Sequence, residues 1–260
     1  MKSKLYRIIS FTMTLVFILA ISTTAFAMDT TVVDGTTAYN WAIDAGFPRD
    51  FLDAIDEDFL LKIYYENVDV PNLEITYDVS YYSEDGTPLT RGNISEDTLS
   101  FWIIGGKVSS NGIIQYVNTY VFYDWASNLM DWKLTDAIVV NWNSSLWYLG
   151  DNSFSATFSG ETSGDYGSIS RPATAEQGGL GWFVPLTGNH GAPYGEAAFK
   201  LYPTNTNLAN GTANATSLTS IYAHRTAALS GLSFSTSGVS VSISGSYDQA
   251  ADTCTIYYGV

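Results

Sequence analysis

Acidic residues that lie among aromatic residues are the first side chains in this sequence that could do chemistry. Asp124, Asp131, Asp136 and Glu196 have this context. Two carboxyl groups about 5–10 Å apart can hydrolyse a glycosidic bond, one as the acid and the other as nucleophile or base. Because the chain has 26 acidic residues, some such neighbours are inevitable, and solvated or turn-forming acids are the preferred interpretation. A carbohydrate-active hydrolase is therefore an alternative function, and we assign no catalytic residue.

Tryptophans form the second candidate set, since five of the seven lie within one 46-residue stretch. Indole faces stack on sugar rings as readily as they fill a core. Trp132 and Trp147 have looser sequence contexts than Trp142, so these two are the better candidates for display at the surface. Asp131 and Asn143 are polar neighbours that could bond sugar hydroxyls. These residues form the predicted ligand-binding site, and burial in a β-sandwich core is the competing interpretation.

Residues that usually bind metals or act as nucleophiles are scarce. The two histidines, His190 and His224, do not have a zinc-binding spacing such as HExxH, and the GxSxG motif of serine hydrolases is absent. Extracellular calcium sites use acidic oxygens, which Asp56 with Asp58, or Asp248 with Asp252, could contribute. Neither pair belongs to a complete calcium-binding motif. We therefore predict no metal site and no cofactor.

The N-terminus has the three parts of a secretory signal peptide. Lys2, Lys4 and Arg7 precede an apolar run over residues 8–21, and small residues follow as far as Ala27. We expect cleavage after residue 27 and a secreted, extracellular protein with no transmembrane helix after the signal is removed. The single cysteine, Cys254, excludes an internal disulfide and a lipid anchor at the cleavage site.

The charge of the mature chain limits the partners that it can bind. Removal of the signal leaves 8 basic and 26 acidic residues, which gives a net charge of −18. Such a surface repels phosphate backbones and anionic lipid headgroups. We therefore expect no nucleic-acid partner, and an extracellular glycan or protein is the predicted partner.

The spacing of apolar residues changes from helical to alternating near Asn72. Before it, Phe51, Leu52 and Ile55 recur at helical spacing; after it, apolar and polar residues alternate in many short segments separated by Gly, Asn and Ser. This pattern predicts a mainly β, antiparallel sandwich-like fold with a short helical element at residues 28–70 and a β-rich body at 71–260. Two polar segments, 160–181 and 204–217, are predicted to be surface loops, and the first is the candidate for an internal domain boundary.

Two stretches carry a resemblance. The segments GFPRDFLDAIDEDFLLKIY and YVFYDWASNLMDWKLTDAIVVNWNSSLWYL resemble a group of uncharacterised secreted proteins of Gram-positive bacteria. The resemblance implies export and a β-rich body, and it implies no activity and no functional residues.

These features together predict a non-enzymatic extracellular protein that acts by surface contacts at the cell envelope or in its surroundings, with glycan binding as a candidate activity. A third class of function remains open beside the hydrolase. Alternating apolar and polar residues from Gly231 to Ser244 are also typical of hairpins that form membrane pores. Each strand is shorter than the roughly 9–11 residues that a spanning strand needs.

Overall fold

A computed structural model describes most of the chain after the signal segment. The described residues are 33–79, 99–125, 135–162, 164–176, 178–186, 193–205, 211–225, 231–234, 241–244 and 247–258, and from residue 224 onward only the backbone is described. The predicted signal peptide, its cleavage site and the pair Asp131–Trp132 lie outside what is described, and Asp248 and Asp252 are described by their backbone alone. Residues 35–260 form one compact unit.

Three short helices open this unit, as the helical spacing predicts. They are α1 (Gly35–Ala45), α2 (Arg49–Ala54) and α3 (Glu57–Asn67). Gly46 follows α1 with a φ of 98°, which a glycine adopts without steric cost. The Asp56 carboxylate accepts a hydrogen bond from the Phe59 N–H at 2.8 Å and so caps the start of α3.

Most described residues after Asn72 belong to antiparallel strands, which confirms the predicted β fold. The strands are β1 (Leu73–Val79), β2 (Leu99–Ser110), β3 (Ile113–Trp125), β4 (Thr135–Asn141), β5 (Trp147–Leu149), β6 (Ser155–Gly160), β7 (Gly164–Ile169), β8 (Thr174–Glu176), β9 (Gly179–Pro185), β10 (Pro193–Pro203), β11 (Gly211–Arg225), β12 (Gly231–Phe234), β13 (Val241–Ser244) and β14 (Tyr247–Tyr258).

These strands build two main sheets and one small hairpin. The large sheet has the order β1-β2-β3-β10-β6-β7, with β5 paired to β10, and the second sheet has the order β14-β11-β4-β9-β8. Within the described ranges, β12 and β13 pair with each other alone, over four residues each. Two predicted loops are partly wrong, because β7, β8 and the start of β9 occupy much of 160–181 and β11 begins at residue 211.

The large sheet is buried on both faces, so it has two different cores. Side chains such as Phe101, Val121 and Phe199 pack between the two sheets. On the opposite face, the helices contribute Phe51, which lies 6.0 Å from the ring of Phe122. This double burial explains why β2 and β3 are buried along most of their length and carry apolar runs such as residues 101–104 rather than a strict alternation.

A buried polar network fixes α3 against the large sheet. The Asn67 side-chain amide donates to the Tyr120 hydroxyl at 2.7 Å, and the Asn118 side-chain amide donates to Asn67 Oδ1 at 2.6 Å. Because buried amide and hydroxyl groups are costly to leave unpaired, this network selects one position for the helix. The start of α3 is thereby placed over β10 and β6. No helix among the described residues is long and apolar enough to cross a membrane.

Candidate functional site

An acidic groove lies where the first turn of α3 meets the large sheet. It has two parts, which share Asp56. The first part, the Glu196 cavity, has a volume of about 230 Å³, and its lining residues are Asp56, Asp58, Phe59, Lys62, Ser155, Ala156, Thr157, Asp165 and Glu196. The second part, the Asp124 cleft, has a volume of about 510 Å³, and its lining residues are Ala54, Ile55, Asp56, Asp124, Trp125, Glu161 and Tyr194.

Strand register brings the groove residues from distant parts of the sequence to one face. Glu196 of β10 lies opposite Thr157 of β6, and Tyr194 lies opposite Asp124 of β3. Since alternate residues of a strand point to the same side, Glu196 and Tyr194 share the face that the helices cover. Asp124 and Glu196 are therefore diagonal neighbours on adjacent strands, a relation that places Cβ atoms roughly 7–8 Å apart.

Glu196 is the most unusual side chain of the groove. It is only 9% exposed, and its Oε2 atom has no hydrogen-bond partner among the described residues. Burial, with a further contribution from the Asp56 charge, raises the pKa of Glu196 to about 9. A carboxyl with this pKa is protonated at neutral pH. A perturbed, partly unsatisfied acid in a cavity is a recognised mark of a functional site.

Lys62 is the single basic residue among those that line the groove. Its ammonium donates a hydrogen bond to Ser155 Oγ and lies 5.7 Å from the centre of the Phe59 ring. The lysine charge lowers the pKa of Glu196, but this effect is smaller than the effect of burial and of Asp56. Lys62 therefore moderates the negative charge of the cavity without neutralising it.

The Asp124 cleft repeats the same electrostatic pattern more weakly. Burial, with a smaller contribution from Glu161, raises the pKa of Asp124. The two parts of the groove together present six carboxyl groups to one lysine. Within the described part of the chain, no three acidic, histidine or cysteine side chains are placed to hold a metal ion.

The predicted ligand-binding residues have other environments. Trp147 is 1% exposed and belongs to the core between the sheets, so the expectation that its indole could be displayed is wrong. Asn143 is exposed, and its side-chain oxygen accepts from the Ser145 N–H at 2.9 Å, which stabilises the turn before β5. The structure describes neither Trp132 nor Asp131.

A tyrosine next to Trp147 is displayed instead. Because successive strand residues point to opposite faces, Tyr148 is 50% exposed where Trp147 is buried. The Tyr148 ring stacks on Tyr202 at a centroid distance of 5.8 Å, and Tyr202 lies 5.9 Å from Tyr116. Tyr202 also lies over Gly150, where a Cβ atom would have no room. These three tyrosines form a row across β5, β10 and β3, which we call the tyrosine row.

Three of the four acids that the sequence placed among aromatics are described, and they lie in different environments. Asp124 and Glu196 share the groove, whereas Asp136 is fully buried between the sheets and accepts a hydrogen bond from the Tyr222 hydroxyl at 2.7 Å. The sequence analysis gave no role to Lys62 or Asp165. The sequence signal for the site was Glu196 itself, an acid within the otherwise small and apolar run Gly195–Phe199.

Comparison with known proteins yields only distant structural neighbours. Neither a protein-family model nor a curated protein matches the sequence. A collagen-binding domain from a Staphylococcus aureus adhesin is 10% identical, with 68% of this chain and 95% of that chain covered and a TM-score of 0.28. The collagen adhesin CNA of S. aureus is 8% identical, with coverages of 71% and 80% and a TM-score of 0.29.

A third neighbour is the collagen-binding domain of the Erysipelothrix rhusiopathiae surface protein RspB. It is 10% identical, with coverages of 62% of this chain and 66% of that chain and a TM-score of 0.27. TM-scores in this range do not establish a shared fold.

Proposed function

We propose that this chain is an exported, non-enzymatic protein that binds an extracellular protein partner by surface contact, and that the acidic groove is the contact surface. One observation carries the proposal: six carboxyl groups from separate elements converge on one groove with a single lysine. Like charges held together are unfavourable in an isolated protein, and a positively charged partner relieves this repulsion.

The groove also has the form of a binding site rather than of a solvated charged face. Glu196 is buried with a free acceptor atom, and Asp124 is half-buried. Such groups gain most from a partner that brings hydrogen-bond donors, because the partner replaces the hydration that burial has removed. The remaining acidity of the chain supports solubility and accelerates the approach of basic partners.

A selection of peptides at physiological ionic strength tests this proposal. Random peptides displayed on phage are selected against the protein, and we expect enrichment of basic sequences. Binding of the enriched peptides should be lost in the triple variant Asp124→Asn, Asp165→Asn, Glu196→Gln. The control Asp44→Asn, Asp69→Asn, Asp151→Asn neutralises three exposed acids outside the groove. It removes at least as much negative charge as the groove variant, because Glu196 is already protonated at neutral pH. Equal losses in both variants, or no basic enrichment, would refute the proposal.

Carbohydrate hydrolysis is a second candidate function of the same groove. The diagonal placement of Asp124 and Glu196 favours it, as does the protonated state of Glu196 at neutral pH. A glycosidase needs one protonated and one ionised carboxyl at a comparable separation. Release of reducing sugar from a panel of polysaccharides, absent with Glu196→Gln, would support this function over simple binding.

Glycan binding without hydrolysis is best placed at the tyrosine row. Tyr148 offers an exposed ring beside the predicted but buried Trp147, and aromatic faces stack on sugar rings. A glycan-array signal that disappears with Tyr148→Ala and persists with Glu196→Gln would assign glycan binding to the row and not to the groove.

A further inference from the structure

We infer that the Glu196 cavity receives the guanidinium group of one arginine side chain of the protein partner. The inference rests on the proposed function, since it specifies which part of the groove the basic partner enters and with which residue. It names the ligand class and predicts that one cation binds. The negative charge of the groove alone would neither select a particular cation nor fix how many bind.

The size of the cavity fits the end of a side chain. Its volume of about 230 Å³ far exceeds the roughly 10–15 Å³ that one buried water requires. Phe59 and Ala156 provide apolar wall for the methylene groups of an arginine, while carboxyl groups surround the position of its head. A side chain with an apolar stem and a cationic tip matches this division.

The unpaired atom of Glu196 identifies the donor that is missing. Oε2 is buried without a hydrogen-bond partner, although Lys62 lies in the same cavity and donates instead to Ser155. A guanidinium carries five N–H donors in a fixed plane and can bond Glu196 and a second carboxylate such as Asp165 at once. An ammonium has fewer donor directions and loses more hydration on burial.

Lys62 limits the cavity to one further cation. Its ammonium already occupies the side of the cavity next to Ser155 and Phe59, so a second guest cation would meet its charge at short range. Four acidic residues line the cavity, namely Asp56, Asp58, Asp165 and Glu196. With one guanidinium bound beside Lys62, the net charge of the cavity remains modestly negative.

Binding should be coupled to ionisation of the cavity. The groups that face Glu196 are Asp56, Asp58 and Lys62 from the region of α3 and Asp165 from β7. In the free protein Glu196 holds its proton at neutral pH, since burial raises its pKa to about 9. A guanidinium stabilises the carboxylate, so that this proton leaves to the buffer on binding and affinity rises from pH 6 to pH 9.

The test compares capped Gly-Arg-Gly with the same tripeptide containing citrulline, which is nearly isosteric and uncharged. Titrations are followed by the backbone amide signals of Ser155, Ala156 and Thr157, and calorimetry in two buffers of different ionisation enthalpy counts the released protons. We expect at least about tenfold weaker binding of citrulline, weaker binding of the lysine peptide, and release of a fraction of one proton with arginine.

Two variants separate the cavity from the rest of the groove. Glu196→Gln, which keeps the shape of the protonated side chain, should remove the preference for arginine over citrulline and abolish proton release. The cleft variant Asp124→Asn, Glu161→Gln should weaken both basic peptides slightly and leave that preference intact. Equal affinity for arginine and citrulline, no binding of either, or an arginine preference that survives Glu196→Gln would overturn the inference. The phage selection would still support the groove if its basic peptides lose binding in the cleft variant Asp124→Asn, Glu161→Gln.

Discussion

Asp136 and Glu196 are two buried acids in opposite cores of the same sandwich, and their environments differ in a way that separates structure from function. Asp136 lies between the sheets, where the Tyr222 hydroxyl donates to it at 2.7 Å and accepts from Trp125 Nε1 at 3.0 Å. Glu196 lies on the helix-covered face with Oε2 unpaired beside a cavity. A buried acid whose hydrogen bonds are made within the protein stabilises the packing of its elements. A buried acid with an unpaired acceptor atom can instead bind another molecule.

Truncation of a side chain in the core between the sheets should lower the free energy of unfolding more than any other substitution considered. This result would show that the region between the sheets stabilises the fold. Trp147 is fully packed there, so Trp147→Ala is expected to cost roughly 3–5 kcal/mol in the free energy of unfolding. The matched variant Tyr148→Ala removes a half-exposed ring one residue away and should cost less than about 1 kcal/mol. Urea denaturation measures both. A small loss for Trp147→Ala would contradict the burial of this indole.

Loss of the Asp136 carboxylate should come next. Asp136→Ala takes an acceptor away from the buried Tyr222 hydroxyl, and we expect a loss of roughly 2–4 kcal/mol because a buried donor then lacks its strongest partner. Urea denaturation at pH 7 gives the value. Binding of basic peptides by the folded fraction should be unchanged, since Asp136 does not line the groove. An Asp136→Ala protein as stable as the parent would show that Asp136 does not stabilise the fold, contrary to the contrast drawn with Glu196.

Glu196→Gln should raise the free energy of unfolding, whereas the two substitutions above lower it. The folded pKa of about 9 exceeds the unfolded value near 4.5, so the unfolded chain loses this proton first as pH rises. Stability therefore declines between about pH 4.5 and pH 9, and Gln removes this decline. We expect a gain of about 2–3 kcal/mol at pH 7 and little change near pH 4.5. Urea denaturation at both pH values measures the change. A lower free energy of unfolding for Glu196→Gln at pH 7 would contradict the prediction and show that Glu196 stabilises the fold.

Sequence patterns predicted the fold better than the site for a physical reason. Helical and alternating spacings are local, so the change of period near Asn72 and the Asp56 cap were readable, and both are confirmed. The polar segment 160–181 was misread because small Gly and Ser residues hide the pairing of β7 and β8. Pairing depends on residues far apart in sequence, which single-segment composition cannot reveal.

The groove and the tyrosine row show the same limit more sharply. Trp147 and Tyr148 are adjacent, and only the register of β5 against β10 decides which of them faces the core. Glu196 and Asp165 are 31 positions apart in the sequence and meet only because β10 and β7 flank β6. Asp124 and Glu196 were both weighed as candidate acids, but their shared face could not be inferred without the strand pairing.

The smallest expected effect tests whether Lys62 and Glu196 act as one electrostatic unit. The Lys62 charge lowers the pKa of Glu196, so Lys62→Gln should move the titration midpoint of Glu196 upward from about 9. Since Lys62 is half-exposed, solvent screens the pair and the change should correspond to less than about 1 kcal/mol. The Glu side-chain carboxyl carbon, followed by NMR between pH 6 and pH 11, reports the midpoint.

Lys200→Gln is the matched control, because Lys200 lies over the Tyr116 ring, outside the residues that line the groove. An equal shift in both variants would mean that Glu196 responds to total charge and not to its neighbour in the cavity.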